Sequence, residues 1–296
     1  MSKGRTSHVW ILSLVVAIVA LSAVTRSQNP ATATQSEQSA VPEGPVQYAT
    51  VASQALGREL RYAVQLPPSY SRDQKRRYPV LYFLHGMNGN EGEFERRGVA
   101  AAISKLRADG KIGEFITVAP AGQNSFYVNA KNGPQYEDAI VKDLVAHVEK
   151  TYRAMPGPRN RAIQGLSMGG FGAMLIAFKH PELFSSMTAH CSAVVAEIPK
   201  PTGTSRRELF LLSLIGKLFG DPPDEEYFKA NNPMSLADSN AASIKKAGLK
   251  IYFDVGDQDR YGFTEPNKNL DELMTKDGLT HEFHIFPGGH GWDYML

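Results

Sequence analysis

A serine flanked by glycines carries the strongest chemical signal in this 296-residue chain. The segment Gly165-Leu166-Ser167-Met168-Gly169 follows the pattern Gly-x-Ser-x-Gly. A serine hydroxyl is a weak nucleophile and must be presented to a base and to a substrate at the same time. A tight strand-to-helix turn does this, and glycine on both sides avoids side chains that would clash there. The pattern predicts Ser167 as a nucleophile, and a solvated serine in a glycine-rich turn is the alternative.

A nucleophilic serine needs a base, and that base follows it in sequence when the serine occupies such a turn. The histidines after Ser167 are His180, His190, His281, His284 and His290. His290 lies in a glycine loop, residues 287–292, directly after a predicted last strand, where it can point into a cleft. The sequence therefore predicts His290 as the base, against the alternative of a surface loop histidine.

The acid that orients the base is predicted at the end of another strand. Asp254, Asp257 and Asp259 crowd the end of an apolar run at residues 249–255. Asp254 falls inside that strand, whereas the other two follow it, where the functional groups of such sheets lie. Asp257 and Asp259 are two positions apart and could point the same way in an extended loop, so spacing alone does not choose between them.

These residues must be positioned by the elements around them, and the chain alternates between strand and helix patterns. Two strands joined around Gly57 predict an opening hairpin, and continuous apolar runs then predict strands buried on both faces of a parallel sheet. We expect an α/β chain with a doubly wound, mostly parallel sheet. The predicted strands are residues 46–51, 59–66, 80–84, 115–119, 161–165, 184–189, 249–255 and 281–286, and the predicted helices are residues 137–152, 169–179 and 267–276.

One segment, residues 196–237, breaks the alternation. It contains several prolines and an apolar patch at residues 209–214. A long insertion between two sheet strands is usually functional or a surface elaboration. We expect a lid-like helical cover near the predicted nucleophile, with the apolar patch over the pocket.

The N-terminus predicts export to a periplasm or the medium. Lys3 and Arg5 precede an uncharged apolar stretch, residues 9–24, and a polar segment follows. This is the layout of a signal peptide. We expect residues 1–26 to be a signal peptide or an uncleaved membrane anchor and residues 27–45 to be a flexible linker. The folded domain is expected at residues 46–296.

Composition restricts the partners. The chain has 32 basic and 30 acidic residues, for a formal net charge of +2. No polyanion-binding surface is indicated, so we expect no nucleic-acid partner. The only cysteine is Cys191, which excludes an intramolecular disulfide, and we expect it to be buried and outside any metal site. The sequence gives no signal for the oligomeric state.

In combination these motifs resemble the esterase D-like family of α/β-hydrolases, which includes feruloyl and acetyl-xylan esterases, S-formylglutathione hydrolases and antigen 85 mycolyltransferases. The matching segments are residues 84–89, 124–129, 136–138, 165–169, 256–259 and 288–292. The resemblance implies the α/β-hydrolase fold. Through the pattern Gly-x-x-Asp it also favours Asp259 over Asp257 as the acid. It implies that the backbone N–H groups of Met87 and Met168 face the oxyanion, and that His85 holds its loop by hydrogen bonds.

The resulting expectation is a serine esterase that cleaves carboxylic esters through an acyl-enzyme, without a metal or an organic cofactor. The resemblance implies a small-molecule or carbohydrate-linked ester with a short or aromatic acyl group. The alternatives are an acyltransferase of the mycolyltransferase type, an S-acyl thioesterase and a non-catalytic binding relative. Export weakens the thioesterase alternative, because glutathione chemistry belongs mainly to reducing compartments.

Overall fold

The computed structural model describes residues 44–198, 200 and 205–296. The predicted signal peptide or anchor and nearly all of the predicted linker lie outside these residues, as does part of the predicted insertion. Within the described ranges, no helix combines the length and the apolar character that crossing a membrane requires.

The first two strands of the described residues form a hairpin, as predicted. Strands β1 (Gln47–Ser53) and β2 (Arg58–Gln65) pair antiparallel. Gly57, in the turn between them, has a φ of 63°. A glycine adopts this left-handed conformation without the steric cost of a Cβ atom.

A mostly parallel sheet follows the hairpin. Its strands are β3 (Val80–Leu84), β4 (Ile116–Pro120), β5 (Arg161–Leu166), β6 (Ser186–His190), β7 (Lys250–Gly256) and β8 (Glu282–Phe286). The described residues form one eight-stranded sheet in the order β1-β2-β4-β3-β5-β6-β7-β8, in which β2 pairs antiparallel with β4 and all later pairs are parallel. The predicted sheet and hairpin are confirmed, with strand ends shifted by a few residues.

Helices cover both faces of this sheet. They are α1 (Glu93–Arg96), α2 (Val99–Ala108), α3 (Tyr136–Asp138), α4 (Val145–Thr151), α5 (Met168–Lys179), α6 (Arg206–Phe219), α7 (Glu225–Lys229), α8 (Pro233–Ser239), α9 (Ala241–Ala247), α10 (Thr264–Lys276) and α11 (Trp292–Met295). Side chains alternate across β3: Tyr82 packs with α5, whereas Phe83 packs with the α1–α2 side. Strand β3 therefore contributes to two apolar layers, which explains its continuous apolar run.

Two helical regions differ from the expectation. The predicted helix at residues 137–152 contains a π-helical segment, Ala139–Leu144, between α3 and α4. Helix α10 begins three residues before its predicted start, at Thr264. Its first turn carries Glu265 but no side-chain cap, so the sequence lacks the usual start signal there.

A buried ionic network joins the end of α5 to the insertion. The carboxylate of Glu137, whose side chain is 2% exposed, accepts hydrogen bonds from Lys179 Nζ at 2.9 Å and His180 Nε2 at 2.7 Å. Lys179 Nζ also donates to Asn231 Oδ1, at 2.9 Å. Burial alone would raise the pKa of Glu137, but the hydrogen bonds from His180 and Lys179 lower it below its ordinary value.

We expect Glu137→Gln to lower the free energy of unfolding by about 2–3 kcal/mol at pH 7, since it leaves a partly buried lysine without its counter-charge. Because the folded-state pKa is depressed, this stabilisation is complete above the unfolded pKa of about 4.3. It is lost as the pH falls through the folded-state value. Urea unfolding of both proteins at pH 7 and pH 3 measures this.

Glu182→Gln is the matched control for this prediction. Glu182 also lies near His180, at 3.8 Å, but its side chain is 67% exposed. Exposed ion pairs contribute little, so we expect a change within about 0.5 kcal/mol. An equal loss for Glu137→Gln at both pH values would contradict the assigned charge of Glu137.

Candidate active site

The predicted nucleophile occupies the turn between β5 and α5. Ser167 has φ 58° and ψ −115°, a conformation that non-glycine residues rarely adopt. Its N–H donates to the carbonyl of His190 at 2.9 Å, at the end of the neighbouring strand. This strained turn directs the side chain away from the sheet and into a cleft, which Ser167 lines.

The two glycines of the motif allow the turn to be this tight. A Cβ atom at Gly165 would lie 2.1 Å from the carbonyl oxygen of Gly169, and one at Gly169 would lie 2.0 Å from the carbonyl oxygen of Leu84. Any side chain at either position would therefore push α5 away from β3 and β5.

His290 and Asp259 complete a chain of hydrogen bonds with the serine. His290 Nε2 lies 2.8 Å from Ser167 Oγ, and His290 Nδ1 lies 2.7 Å from Asp259 Oδ2. The Asp259 side chain is fully buried and that of His290 is 7% exposed. A carboxylate can only accept, so Nδ1 carries the proton and Nε2 is free to accept from the serine hydroxyl. This geometry suits general-base activation of Ser167.

The structure separates the two aspartates that spacing alone left open. Asp257 Oδ1 accepts the N–H of Gly288 at 2.9 Å and does not serve the imidazole. Asp259 Oδ1 accepts the N–H of Tyr261 at 2.8 Å, which holds the carboxylate with its other oxygen towards His290. Asp257 therefore holds the histidine loop, and Asp259 contacts the histidine itself.

Close packing fixes the imidazole. A Cβ atom at Gly256 would lie 2.4 Å from the carbonyl oxygens of both Gly288 and Gly289, so this glycine lets the histidine loop approach the end of β7. The ring of Tyr261 meets that of His290 edge-to-face, with centroids 4.6 Å apart. The catalytic role of the three residues remains a prediction, but their mutual geometry requires no rearrangement.

The two methionines predicted to supply oxyanion donors line the same cleft as Ser167. Met168 begins α5, and the first N–H groups of a helix have no partner within it. Met87 is the second residue of a turn closed by a 3.1 Å hydrogen bond from Gly89 N–H to Gly86 C=O. Both methionines line the cleft beside the serine, and their oxyanion role remains a prediction.

His85 anchors the turn from Gly86 to Gly89, called the oxyanion turn after the role predicted for Met87, in the manner that the resemblance implies. Its Nδ1 donates to the carbonyl of Gly86 at 2.7 Å, and its Nε2 accepts the N–H of Gly122 at 2.9 Å. Burial lowers the pKa of His85, which favours the neutral tautomer that these two bonds require.

The cleft has a volume of about 730 Å³ and two chemically different sides. Its apolar side is lined by Phe126, Phe171, Leu211, Leu214, Ile215, Leu218, Phe219 and Phe228. Around His290 the lining is aromatic and polar, formed by Arg260, Tyr261, Phe263, Trp292 and Asp293, and Arg97 also lines the cleft. The cleft therefore offers apolar surface on one side and polar groups next to the imidazole.

Helix α6 gives the insertion its place in the site. Ser205 caps it through a capping box with Glu208, and its inward side chains include Leu214, 7% exposed, and Leu218, 5% exposed. Leu212, 42% exposed, lies on the opposite side of the helix. Of the predicted apolar patch, Phe210, Leu211 and Leu214 line the cleft.

Cys191 lies close to Asp259 and His290 in space. Its thiol is buried, and burial raises the pKa of Cys191 to about 12. Ligand atoms of Cys191, Asp259 and His290 lie within 4.8 Å of one another. A metal ion on this group would compete with the bonds that His290 makes to Asp259 and Ser167, so the arrangement is better suited to proton transfer.

The sequence analysis did not identify three sets of contacts that shape the candidate site. These are the edge-to-face contact of Tyr261 on His290, the Phe126–Phe171 pair, whose centroids are 5.3 Å apart, and the hydrogen bonds between Asn88 and Asn124. The only signal for the last two was that residues 84–89 and 124–129 belong to the segments on which the family resemblance rests.

Comparisons with known proteins show the family of this chain. A family model named Esterase matches residues 53–295. The endo-1,4-beta-xylanase/feruloyl esterase of Xylanibacter ruminicola is 33% identical over 149 residues, which are 48% of this chain and 20% of that protein. An esterase of Mycobacterium tuberculosis is 29% identical over 252 residues, 80% of this chain and 53% of that protein. The chain thus spans about half or less of these relatives.

A solved structure of similar sequence shares the fold of this chain. A ferulic acid esterase superposes with a TM-score of 0.70 and 27% sequence identity, over 84% of this chain and 92% of that one. The predicted α/β-hydrolase fold is confirmed.

Proposed function

This chain belongs to the Esterase family, and from that premise we propose that it hydrolyses carboxylic esters through an acyl-enzyme on Ser167. The observation that carries the proposal is the bond chain from Asp259 through His290 to Ser167, with distances of 2.7 Å and 2.8 Å, opening into a two-sided cleft. The hydrogen bond between Ser167 and His290 supports general-base activation of the hydroxyl, and the hydrogen bond between His290 and Asp259 supports the imidazole tautomer that this activation needs.

The proposed reaction runs in two halves. Ser167 Oγ attacks the ester carbonyl while His290 Nε2 takes its proton, and the Met87 and Met168 N–H groups stabilise the oxyanion. The imidazolium returns the proton to the leaving alcohol as the C–O bond breaks. Water then attacks the acyl-serine by the same route, releasing the acid and the free serine.

Partitioning of the acyl-enzyme tests this pathway. Several aryl esters with one acyl group and different leaving groups are hydrolysed in the presence of methanol. A common acyl-enzyme requires the same ratio of methyl ester to free acid from every substrate, whereas direct attack by water would give ratios that depend on the leaving group. A methyl glycoside as acceptor tests the acyltransferase alternative in the same assay.

For the substrate, we propose a short or aromatic acyl ester of a carbohydrate-like alcohol. Aromatic and aliphatic side chains on one side of the cleft fit the acyl group, and polar and aromatic side chains near His290 fit a hydroxylated leaving group. Similarity to feruloyl esterases adds support. Purified enzyme is assayed with acetyl and feruloyl sugar esters, a long-chain lipid ester and an S-acyl thioester. Turnover of only the last two would reject the assignment.

Leu214→Asn and Leu211→Asn test the lid. A polar side chain removes apolar contact from the acyl side, and each buried CH₂ contributes about 0.8 kcal/mol. Going from acetyl to butyryl adds two such groups, so we expect the butyryl-over-acetyl preference in kcat/KM to fall about tenfold. Leu212→Asn, on the exposed side of the same helix, is the control. Equal chain-length profiles in all three variants would show that α6 does not bind the acyl group.

We also propose that the protein is exported, on the pattern of Lys3, Arg5 and the apolar residues 9–24. Fractionation of cells that express the full-length tagged chain, with N-terminal sequencing, tests this. A cleaved product outside the cytosol indicates a signal peptide, and an intact chain in the membrane fraction indicates an anchor. An intact chain in the cytosol would contradict export.

A further inference from the structure

The turn that carries Met87 requires an unusual backbone conformation at its third residue. In the turn from Gly86 to Gly89, Asn88 has a φ of 62°. A turn with positive φ at its third position alone is of type II, and glycine is the residue that usually occupies that position. Asparagine tolerates this conformation better than most residues, but it still favours negative φ. The turn therefore depends on outside contacts to hold it.

A second strained segment supplies those contacts. In the loop after β4, Gln123, Phe126 and Tyr127 have φ values of 48°, 52° and 59°. Such conformations persist where the surrounding structure over-determines them, and they cluster at functional sites. Here Tyr127 is fully buried, and a Cβ atom at Gly122 would lie 2.3 Å from its ring.

Two buried bonds tie this loop to the base of the turn. Gly122 N–H donates to His85 Nε2 at 2.9 Å, and the Tyr127 hydroxyl donates to the His85 carbonyl at 3.2 Å. Both hydrogen bonds involve His85, the residue before the turn. The tip of the turn, residues 87 and 88, therefore needs other contacts to hold it.

A reciprocal pair of asparagines holds that tip. Asn88 N–H donates to Asn124 Oδ1 at 2.7 Å, and Asn124 Nδ2 donates to Asn88 Oδ1 at 2.9 Å. The first bond fixes the peptide between Met87 and Asn88, which is the peptide that flips when a type II turn relaxes to type I. Both bonds are exposed to solvent, so they can be removed without opening the core.

The same loop reaches the acyl side of the cleft. Phe126 lines the cleft and meets Phe171 edge-to-face, 5.3 Å between centroids and 87° between planes. Only one residue separates Phe126 from Asn124. A substrate acyl group that packs on Phe126 therefore contacts the segment that holds the oxyanion turn.

We propose that Asn124 is a positioning residue for the oxyanion donor of Met87, acting through Asn88, and that Phe126 couples acyl binding to this donor. The proposal rests on the proposed esterase function. Asn124 itself touches the turn and not the reacting atoms, so its loss reduces the stabilisation of the transition state more than the binding of the substrate.

Asn124→Ala is the central variant. We expect kcat to fall about tenfold with KM within about twofold, because loss of a whole oxyanion donor costs about 10²–10³ and a loosened one costs less. The inhibition constant of a phenylboronic acid, whose adduct imitates the tetrahedral intermediate, should rise by a similar factor. In Asn124→Ala, acyl chain length should also influence kcat less than in the wild type.

Rescue separates positioning from general structural damage. In the double variant Asn88→Gly/Asn124→Ala, glycine adopts positive φ without cost and keeps the turn in its type II form. We expect this variant to regain most of the lost kcat. Asn90→Ala is the control for a nearby asparagine, because Asn90 Oδ1 accepts from Gly92 and Arg96, both in its own segment.

The outcomes are distinct. A kcat for Asn124→Ala within about twofold of wild type, a rise in KM alone, or a double variant no more active than Asn124→Ala would each overturn the positioning role. Failure of the proposed function would instead appear as a wild-type protein with no turnover of any ester. In that case the boronic acid would also fail to bind.

Discussion

Ser167→Ala is expected to lower kcat by about 10⁶ on an activated ester such as p-nitrophenyl acetate, since it removes the only atom that forms the acyl bond. The fold should persist, because the Ser167 N–H to His190 C=O bond and the packing of the two flanking glycines do not involve the side chain. Residual turnover above the rate in water would come from the oxyanion donors and from binding in the cleft.

Ser192→Ala is the matched control. Ser192 is a fully buried serine whose Cα and Cβ would meet a Cβ atom at Gly170 at 3.1–3.2 Å, so it packs on the same turn of α5 as the nucleophile. We expect its kcat to stay within a few-fold of wild type. Steady-state kinetics with circular dichroism measures both variants. A kcat for Ser167→Ala within about 100-fold of wild type would show that another residue is the nucleophile.

Asp259→Asn is expected to lower kcat by about 10⁴, the cost of the equivalent change in a serine protease triad. The asparagine keeps the shape, and its oxygen can still accept the Tyr261 N–H that now binds Asp259 at 2.8 Å. Its amide then faces His290 Nδ1 as a donor. The imidazole then adopts the tautomer that carries its proton on Nε2. In that tautomer Nε2 can no longer accept the proton of Ser167.

Asp257→Asn separates the two aspartates. Its amide oxygen can still accept the Gly288 N–H, the bond that Asp257 makes at 2.9 Å. We expect a loss of at most about 1 kcal/mol in stability and a far smaller effect on kcat than for Asp259→Asn. Kinetics and urea unfolding of both variants test this. The reverse pattern would assign the acid to Asp257 and leave the roles of Ser167 and His290 untouched.

The sequence by itself determined the features that are encoded locally. The Gly165-x-Ser167-x-Gly169 pattern, the apolar runs of the strands and the glycine loop around His290 each depend on neighbours along the chain. Each has a steric or hydrophobic reason that a single segment satisfies. Sheet class, approximate strand positions and the candidates Ser167 and His290 could therefore be predicted before any tertiary contact was known, whereas Asp259 was preferred over Asp257 only through the family resemblance.

Tertiary structure decided which residues meet. Spacing placed Asp257 and Asp259 on the same loop, and only the approach of residues 287–291 to the end of β7, permitted by Gly256, gave one to Gly288 and the other to His290. The sequence likewise did not determine which side of α6 faces the cleft. Leu209 and Leu214 are both apolar, yet they are 53% and 7% exposed.

The contacts between Asn88 and Asn124 had no sequence signal of their own. Thirty-six positions separate the two residues, and they meet because β3 and β4 are parallel neighbours whose following loops emerge at the same edge of the sheet. Asparagine side chains also suit many surface loops. Pairing across a sheet depends on strand order and register, which are set by the packing of the whole chain and not by the residues that finally touch.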